Sequence, residues 1–371
     1  MGAVTPMWKA GESAGAAYEE LPGKLGLEWP LVSVVITCYN YSRYIEACLA
    51  SVQQQTYERF ECIVVDDAST DGSPEIVEAY LRSHDLAARF RLLRRSENGG
   101  QLAAFRSGLE NCSGRFVVFL DADDLLLENF LSVHVKTHLS EFPVAFTSSN
   151  QVQINENGEL IAGVHPDLQV DREPFRAVTQ TLISPTWIWA TTSSMMFRRA
   201  ALEAVMPAAS EADEHFRRCA DNYVCHFANL LASSILMPEV LGCYRRHGAN
   251  NFSQNPFIGG RAPTGNMRNH PRHMLVLKTI RSRILAETPR FSSLLSEKGV
   301  PRLLARTMTP AMAAAMLLRA LITPKPPLSV GLSFRLLTMS TRNYVVFWTR
   351  AFTRQPPLTH FEFQPAGCIP R

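Results

Sequence analysis

The sequence lacks the segments that would carry the chain into or across a membrane. Its longest apolar run, 311–322, is shorter than the roughly 18 residues of a spanning helix and contains Arg319. Residues 1–30 have neither the basic start nor the apolar centre of a signal peptide. The eight cysteines include no C-x-x-C pair and are typical of reduced thiols. We therefore predict a cytoplasmic protein with a flexible N-terminal arm, 1–30.

Acidic residues are scarce in the last part of the chain. From Arg261 onward there are 17 Lys or Arg against 3 Asp or Glu, a net charge of +14, although the whole chain carries only +3. The first 260 residues are therefore acidic, with a net charge of −11. An asymmetry of this kind indicates an anionic partner surface, either phospholipid or nucleic acid.

The sequence does contain an apolar strand that runs directly into carboxylates. Phe116 to Leu120 is a short run of strand-forming residues, and Asp121, Asp123 and Asp124 come directly after it. In an extended chain Asp121 and Asp123 share a face, where their charges repel unless a cation lies between them. A hard divalent cation that holds a phosphate would meet that need. The alternative is a helix N-cap with an acidic first turn, and Asp124 is expected only to cap the next segment of the chain.

Strand and helix patterns alternate through the first 125 residues. The segments LVSVVITCYN, FECIVVDDAST and RFRLLRRS predict three strands before the acidic one, with helices between them. This β-α-β-α-β-α-β order requires parallel strands and right-handed crossovers. Polar residues that end several parallel strands meet at one edge and outline a nucleotide site. G-x-G-x-x-G and G-x-x-x-x-G-K-[ST] turns are missing, which argues against dinucleotide and P-loop sites.

Four blocks in this order, VSVVITCYN, IVVDDASTDGS, ENGGQLAAFRSGL and FVVFLDADD, resemble the nucleotide-binding half of family 2 glycosyltransferases. The resemblance extends from Leu31 to Ser253 and implies the GT-A fold, an α/β structure with a Rossmann-like, mostly parallel sheet flanked by helices. It implies a nucleotide-binding half, 31–125, and an acceptor half, 126–255. A helical, basic C-terminal extension, 256–371, begins with a Gly/Pro/Asn linker.

The resemblance also implies roles for individual residues. Thr37 and Tyr39 would line the base pocket, and Asp67 would accept a hydrogen bond from the base ring. Asp121 would bind ribose or metal, and Asp123 would bind Mg²⁺ or Mn²⁺ on the diphosphate. We add Asn98, in the turn of the third block, to the nucleotide-binding set, whereas Asp66 is expected only to anchor its turn.

Asp221 is the candidate general base. The spacing of Tyr223, Phe227 and Leu230 predicts a helix with Asp221 in its first turn, where an acid is favoured by the helix dipole alone. In the family a Glu-Asp pair commonly opens this helix and its Asp is the base. Here the pair is Ala220-Asp221, so the supporting Glu is missing. The alternative candidates for the base are Asp213 and Glu214.

The segment LGCYRRHGANNFS resembles the part of the family that closes over the diphosphate. It implies that His247 is the third protein ligand of the metal or a donor to the phosphates. Arg245 or Arg246 would neutralise phosphate charge. Upstream, Asn157-Gly158 predicts a hairpin. The aromatic pair Trp187 and Trp189 would either support a sugar or pack in the core.

The C-terminal region combines apolar, aromatic and basic residues in helical patterns, with a break or kink expected at Pro310. Three roles are open for it: binding an anionic membrane surface, capping the catalytic domain, or forming a dimer.

These observations predict an inverting, metal-dependent glycosyltransferase of cell-envelope polysaccharide or glycolipid synthesis. Its donor would be a UDP, dTDP or GDP sugar, and its acceptor a glycan or a lipid-linked sugar. We expect no nucleic-acid partner. We expect a cytoplasmic protein, either free or attached peripherally to the cytoplasmic face of the membrane. The alternatives are a sugar-phosphate nucleotidyltransferase, which would need a glycine-rich basic loop after the first strand, and a non-catalytic protein of the same fold.

Overall fold

The structure is a computed structural model, and it describes residues 28–140, 144–162, 175–177, 187, 189–209, 212–248, 271–295, 299–322, 328–353 and 359–362. The predicted arm, except 28–30, lies outside the described residues. So do the linker, 256–270, and the last nine residues of the chain.

The described residues form one mixed sheet with helices on both faces. Its strands are β1 Val32–Cys38, β2 Phe60–Asp66, β3 Phe90–Arg94, β4 Phe116–Asp121, β5 Leu125–Leu126, β6 Phe146–Ile154, β7 Leu160–Ala162, β8 Phe175–Ala177, β9 Met195–Arg198, β10 Ser234–Arg245 and β11 Thr359–Glu362. The helices are α1 Ile45–Gln53, α2 Ser73–Ser83, α3 Gln101–Glu110, α4 Phe130–Ser140, α5 Arg199–Val205, α6 Ala212–His215, α7 Ala220–Ala232, α8 Pro271–Ala286, α9 Thr288–Leu295, α10 Gly299–Ala305, α11 Pro310–Ile322 and α12 Val330–Thr353.

The first four long strands are parallel, as predicted, and lie in the order β4-β1-β2-β3. The residues of β1 and β4 are mostly apolar on both faces because helices cover both sides of the sheet. Thr37 on β1 is in register with Asp121 on β4 and with Val65 on β2. The predicted strand ends therefore meet at one edge of the sheet.

The second half extends the sheet beyond β4 through antiparallel β9 and then β6 and β10. The predicted hairpin is present: β7 pairs antiparallel with β6, and Gly158 in the turn has a φ of 87°, a region that favours glycine. Trp189 is 1% exposed and its indole donates to Ser234 Oγ at 2.9 Å. Of its two expected roles, core packing is therefore the one observed.

The C-terminal helices α8 to α10 pack on the domain that the sheet and its helices form. Val276 and Ile280 of α8 belong to the same buried cluster as Phe105 of α3. The buried Arg283 guanidinium donates to Met206 O at 2.8 Å and to Tyr223 Oη at 2.8 Å. These contacts give this part of the extension a capping role. The predicted break at Pro310 is also confirmed, because α10 ends before it and α11 begins at it.

No helix among the described residues is both long and apolar enough to cross a bilayer. Seven of the eight cysteines lie in the described part of the chain, and all seven are free thiols.

A buried histidine pair on α4 packs against the sheet. His134 Nδ1 shares a hydrogen bond with Thr147 Oγ1 at 2.7 Å, and His138 Nε2 with Met196 O at 2.9 Å. Neither side chain is more than 1% exposed. Burial lowers the pKa of His134 well below its usual value and that of His138 to about 3. Both rings are therefore held neutral in the folded protein.

The pair should make the fold sensitive to acid. Unfolded histidines bind protons below about pH 6.5, whereas folded His138 does so only near pH 3. The stabilisation from His138 is thus complete above pH 6.5 and falls as the pH decreases towards 3, by about 1.4 kcal/mol per pH unit. Urea unfolding at several pH values should show a shallower pH dependence for His138→Gln than for wild type. The exposed control His215→Gln should match wild type; an unchanged slope in His138→Gln would contradict the assignment.

Candidate active site

The site is built first by the ends of β1 and β4. Thr37 is 9% exposed, and its hydroxyl donates to Asp121 Oδ1 at 3.2 Å. The Asp121 backbone N–H donates to Ser193 Oγ at 3.1 Å. Hydrogen bonds from two different elements therefore fix the position of Asp121 at the sheet edge.

The charges of three carboxylates act on one another at this edge. Burial, followed by the charges of Asp123 and Asp221, raises the pKa of Asp121 to about 7, although hydrogen bonds from Thr37 and Gln101 oppose the shift. The sequence predicts the proximity of Asp121 and Asp123, whereas Asp221 reaches the site only through the fold. The repulsion among these groups is the electrostatic condition that a bound cation relieves.

Asp123 is paired with a predicted partner from the far end of the domain. His247 Nε2 lies 2.9 Å from Asp123 Oδ2, and both residues are buried. The imidazole ring packs against Tyr44, with ring centroids 4.9 Å apart, and edge-on to Tyr41 at 6.0 Å. The His247 segment therefore does close over the acidic strand end.

The Arg245 side chain binds to the backbone of the loop that contains Asp123. Its guanidinium Nε donates to Asp123 O at 2.8 Å and Nη1 to Asn155 O at 3.2 Å, and its cationic carbon lies 5.1 Å from the Tyr44 ring centroid. The side chain is only 4% exposed. This buried guanidinium beside the Asp123 backbone contributes positive charge to the site as well as these structural contacts.

Asp124 was expected to cap the next segment of the chain, and the structure corrects that expectation. Its Oδ1 accepts a hydrogen bond from the Arg245 backbone N–H at 2.9 Å, so it links the acidic loop to β10. Burial, together with the charges of Asp123 and Asp121, raises its pKa well above the usual value. Its other oxygen, Oδ2, is also buried, and a hydrogen bond from Ser193 partly opposes the rise in pKa.

Asp67 lies 3% exposed at the end of β2 and already accepts several hydrogen bonds. The backbone N–H groups of Gly99 and Gly100 donate to it at 3.0 and 2.7 Å, and the Arg95 guanidinium forms an ion pair with it. Asn98 Nδ2 donates to Asp67 O at 3.2 Å. Arg95 was not predicted from the sequence, although its place directly after β3 is a signal that could have identified it.

Tyr39 is 46% exposed in the loop after β1. The next residue, Asn40, has a φ of 61°. Its side-chain Oδ1 accepts a hydrogen bond from the Thr70 N–H at 2.8 Å, and its backbone N–H donates to Ser69 Oγ at 2.9 Å. This left-handed turn is thus attached to the loop after β2. Asp66 anchors that second loop, as expected, by accepting from the Ser69 N–H at 3.1 Å.

Asp221 is in the first turn of α7, as predicted, and the start of that helix is attached to the start of α3. The Ala220 N–H donates to Gln101 Oε1 at 2.8 Å, and the Gln101 N–H donates to Arg217 O at 2.9 Å. Gly100 permits this approach, since a Cβ there would lie 2.6 Å from Arg217 Cα. Gln101 and Arg217 are contacts that sequence reasoning missed.

The alternative bases have less support. Glu214 is exposed in the short helix α6, and the Asp213 side chain lies outside the part of the chain that the structure describes. Asp221 therefore has the structural support that Glu214 lacks, because its carboxylate is close enough to Asp121 to raise the pKa of that group.

The donor set suits a hard divalent cation. Asp121 and Asp123 supply carboxylate oxygens, which are the ligands that Mg²⁺ and Mn²⁺ prefer. Among the described residues, no three His, Cys, Asp or Glu side chains are gathered into a complete metal site. Mg²⁺ is usually bound by one or two carboxylates, and substrate phosphate oxygens contribute to the rest of its coordination.

Comparison with known proteins agrees with this geometry. Residues 33–206 match the model of "Glycosyl transferase family 2". An uncharacterized glycosyltransferase of Nostoc is 29% identical over 227 residues, covering 59% of this chain and 66% of the relative. A Bacillus subtilis protein provisionally named teichuronic acid biosynthesis glycosyltransferase TuaG is 41% identical over 95 residues, covering 26% and 36%. The chain therefore spans about one third to two thirds of these relatives.

Among solved structures, the chain resembles Staphylococcus aureus TarS, residues 1–349, in complex with UDP-GlcNAc. The TM-score is 0.50 at 16% identity, with 87% of this chain and 92% of the TarS chain covered. At this identity the likeness establishes the shared fold, which is the GT-A type of mixed sheet flanked by helices. The family match covers residues 33–206 and includes the acidic strand end, so this part of the chain is similar to glycosyltransferase family 2.

Proposed function

We propose that the chain is an inverting glycosyltransferase that moves a sugar from a nucleotide diphospho-sugar to an acceptor hydroxyl. The observation that supports it best is that Asp121 ends a buried parallel strand, Asp123 follows it, and the charge of Asp221 acts on Asp121. Ligands of open α/β folds bind at the carboxyl edge of the sheet. The reaction requires groups that bind the diphosphate and a proton acceptor at the same edge. Asp121 and Asp123 would serve the first function and Asp221 the second.

The base of the donor would bind between Tyr39, Thr37 and Asp67. The exposed Tyr39 ring offers a stacking face. Asp67 already accepts from Arg95, Gly99 and Gly100. Because an ionised carboxylate has about four acceptor positions, one is left for the imide N–H of a uracil, thymine or guanine base. Asn98, bonded to the Asp67 carbonyl, would shape the same pocket.

The diphosphate would lie against Asp121, Asp123 and His247. Asp121 and Asp123, with His247 beside Asp123, would hold Mg²⁺ or Mn²⁺. When bound, such an ion neutralises the charge that develops on the leaving nucleoside diphosphate. Arg245 would contribute its fixed positive charge from behind the loop, while its hydrogen bonds keep Asp123 in place.

Asp221 would take the proton from the acceptor hydroxyl. As that oxygen attacks the anomeric carbon from the face opposite the diphosphate, the carboxylate accepts the proton and the configuration inverts. The contact between Ala220 and Gln101 holds the helix that carries this base against the nucleotide half. Donor binding and base position are thus connected through residues 98–101.

The alternative enzyme class has less support. A sugar-phosphate nucleotidyltransferase would require a glycine-rich basic loop after β1, and Thr37-Cys38-Tyr39-Asn40 stands there instead. A non-catalytic protein has no need of a third carboxylate near Asp121. Neither alternative accounts for Asp221 as well as glycosyl transfer does.

The test is the release of nucleoside diphosphate from a panel of UDP, dTDP and GDP sugars, with Mn²⁺ and simple glycosides as acceptors. We expect turnover of one donor family and a product of inverted anomeric configuration. No hydrolysis or transfer with any donor would contradict the proposal. A pyrophosphate-dependent reverse reaction would favour the nucleotidyltransferase instead.

The acceptor is proposed to be a glycan or lipid-linked sugar of the cell envelope, handled at the cytoplasmic side of the membrane. The name of the Bacillus subtilis relative and the basic C-terminal region support this setting.

A further inference from the structure

The C-terminal helical hairpin presents an apolar surface that the catalytic site does not use. Helix α11, PAMAAAMLLRALI, carries a single charged residue, Arg319. Only Ala313 and Ala320 of α11 are fully buried, and the helix packs along α12. Its other face is therefore apolar and exposed, which is unusual for a helix of a water-soluble domain.

The exposure is concentrated where the two helices adjoin. Helices α11 and α12 pack together and are joined by residues 323–329, so the end of α11 lies beside the start of α12. Five apolar side chains between 42% and 72% exposed are found there, and we call them the apolar tip: Leu318, Leu321, Ile322, Val330 and Phe334. Two exposed arginines, Arg319 and Arg335, accompany them.

The charge of the surrounding sequence indicates which kind of partner suits the apolar tip. Between Glu297 and Glu362 the chain has nine Lys or Arg and no acidic residue. A symmetric dimer through the apolar tip would bring Arg319 and Arg335 of two copies together without a compensating carboxylate in this segment. An anionic lipid surface matches both the apolar side chains and the positive charge.

We propose that the apolar tip inserts into the interfacial layer of a membrane that contains anionic phospholipid. Helix α11 has 13 residues, which corresponds to about 20 Å at 1.5 Å per residue and is shorter than a bilayer core of about 30 Å. It can therefore lie in the interface but cannot span it. This attachment would hold the catalytic domain at the surface where a lipid-linked acceptor is found, and it does not depend on the proposed chemistry.

Cosedimentation of the full chain with vesicles tests the proposal without any sugar donor. We expect binding to phosphatidylcholine vesicles that contain phosphatidylglycerol, and much weaker binding to phosphatidylcholine alone. Leu321→Glu and Phe334→Glu should each reduce the partition coefficient at least tenfold. Arg319→Gln should reduce it about fivefold, in line with the contribution of one basic residue near an anionic surface, and the remaining binding should depend less on salt.

The matched control is Leu160→Glu, since Leu160 is 66% exposed on β7, outside the hairpin. It should bind vesicles like wild type, and circular dichroism should show that every variant is folded. The proposal is overturned if wild type does not bind anionic vesicles or if the tip variants bind as well as wild type. A dimer in sedimentation that Phe334→Glu converts to a monomer would assign the surface to self-association instead. Because no donor is present, these outcomes are independent of whether the glycosyl transfer is correct.

Discussion

Asp221→Asn should lower kcat about 10³-fold, within the range that a positioned general base contributes, while the KM for the donor changes little. Asparagine has nearly the same shape and is at the same first-turn position of α7. Its amide cannot accept the proton of the acceptor hydroxyl, so the loss falls on the chemical step. Initial rates over a range of donor and acceptor concentrations separate the two parameters.

The matched control for this prediction is Glu214→Gln, which neutralises an exposed carboxylate seven positions earlier. We expect it to retain wild-type kcat, and the fold of both variants can be checked by thermal unfolding. If Asp221→Asn remains fully active while Glu214→Gln is inactive, the base has been assigned to the wrong helix. If both variants are fully active, neither residue is the base.

Asp123→Asn should produce the second large effect, a fall in kcat/KM of about 10²- to 10³-fold at limiting Mn²⁺, equivalent to roughly 3–4 kcal/mol of transition-state stabilisation. The amide keeps the contact with His247, which lies 2.9 Å from Asp123 Oδ2 in the wild type, but loses the charge that binds a cation. Raising the Mn²⁺ concentration should restore part of the activity.

The control for Asp123 is Glu128→Gln, because Glu128 is an exposed carboxylate shortly after the same loop. It should show wild-type activity and wild-type dependence on Mn²⁺. An unchanged Mn²⁺ dependence in Asp123→Asn would show that Asp123 does not bind the ion. A variant that fails to fold would be recognised by its lower unfolding temperature, and His247→Asn would then test the same pair from the other side.

Local pattern predicted the nucleotide half of the fold with boundaries close to the observed ones. One of the helices expected between the strands is found as Gln101–Glu110, and the strand predicted from Phe116 to Leu120 ends one residue later, at Asp121. These segments were predictable because apolar periodicity and short turns act over a few residues. The parallel order was equally predictable, since β-α-β units allow essentially one handedness.

The site was predicted less completely. The Asp67 contacts with Arg95 and Gly99 depend on how the turn after β3 folds back, which no local pattern specifies. For the same reason Asp124 was expected to be a cap, whereas it bonds to β10 across the loop. The Gln101 contact with Ala220 joins residues 119 positions apart.

By itself the sequence determined that carboxylates end neighbouring parallel strands, because strand period and crossover chirality place those ends at one edge. Only the tertiary structure decided which of them interact. Asp221 approaches Asp121, and His247 pairs with Asp123, because packing of α7 and β10 closes separations of 100 and 124 residues. Burial then raises the pKa of Asp121, and packing also leaves the outer face of α11 uncovered. Such effects depend on the sum of many contacts rather than on any local run of residues.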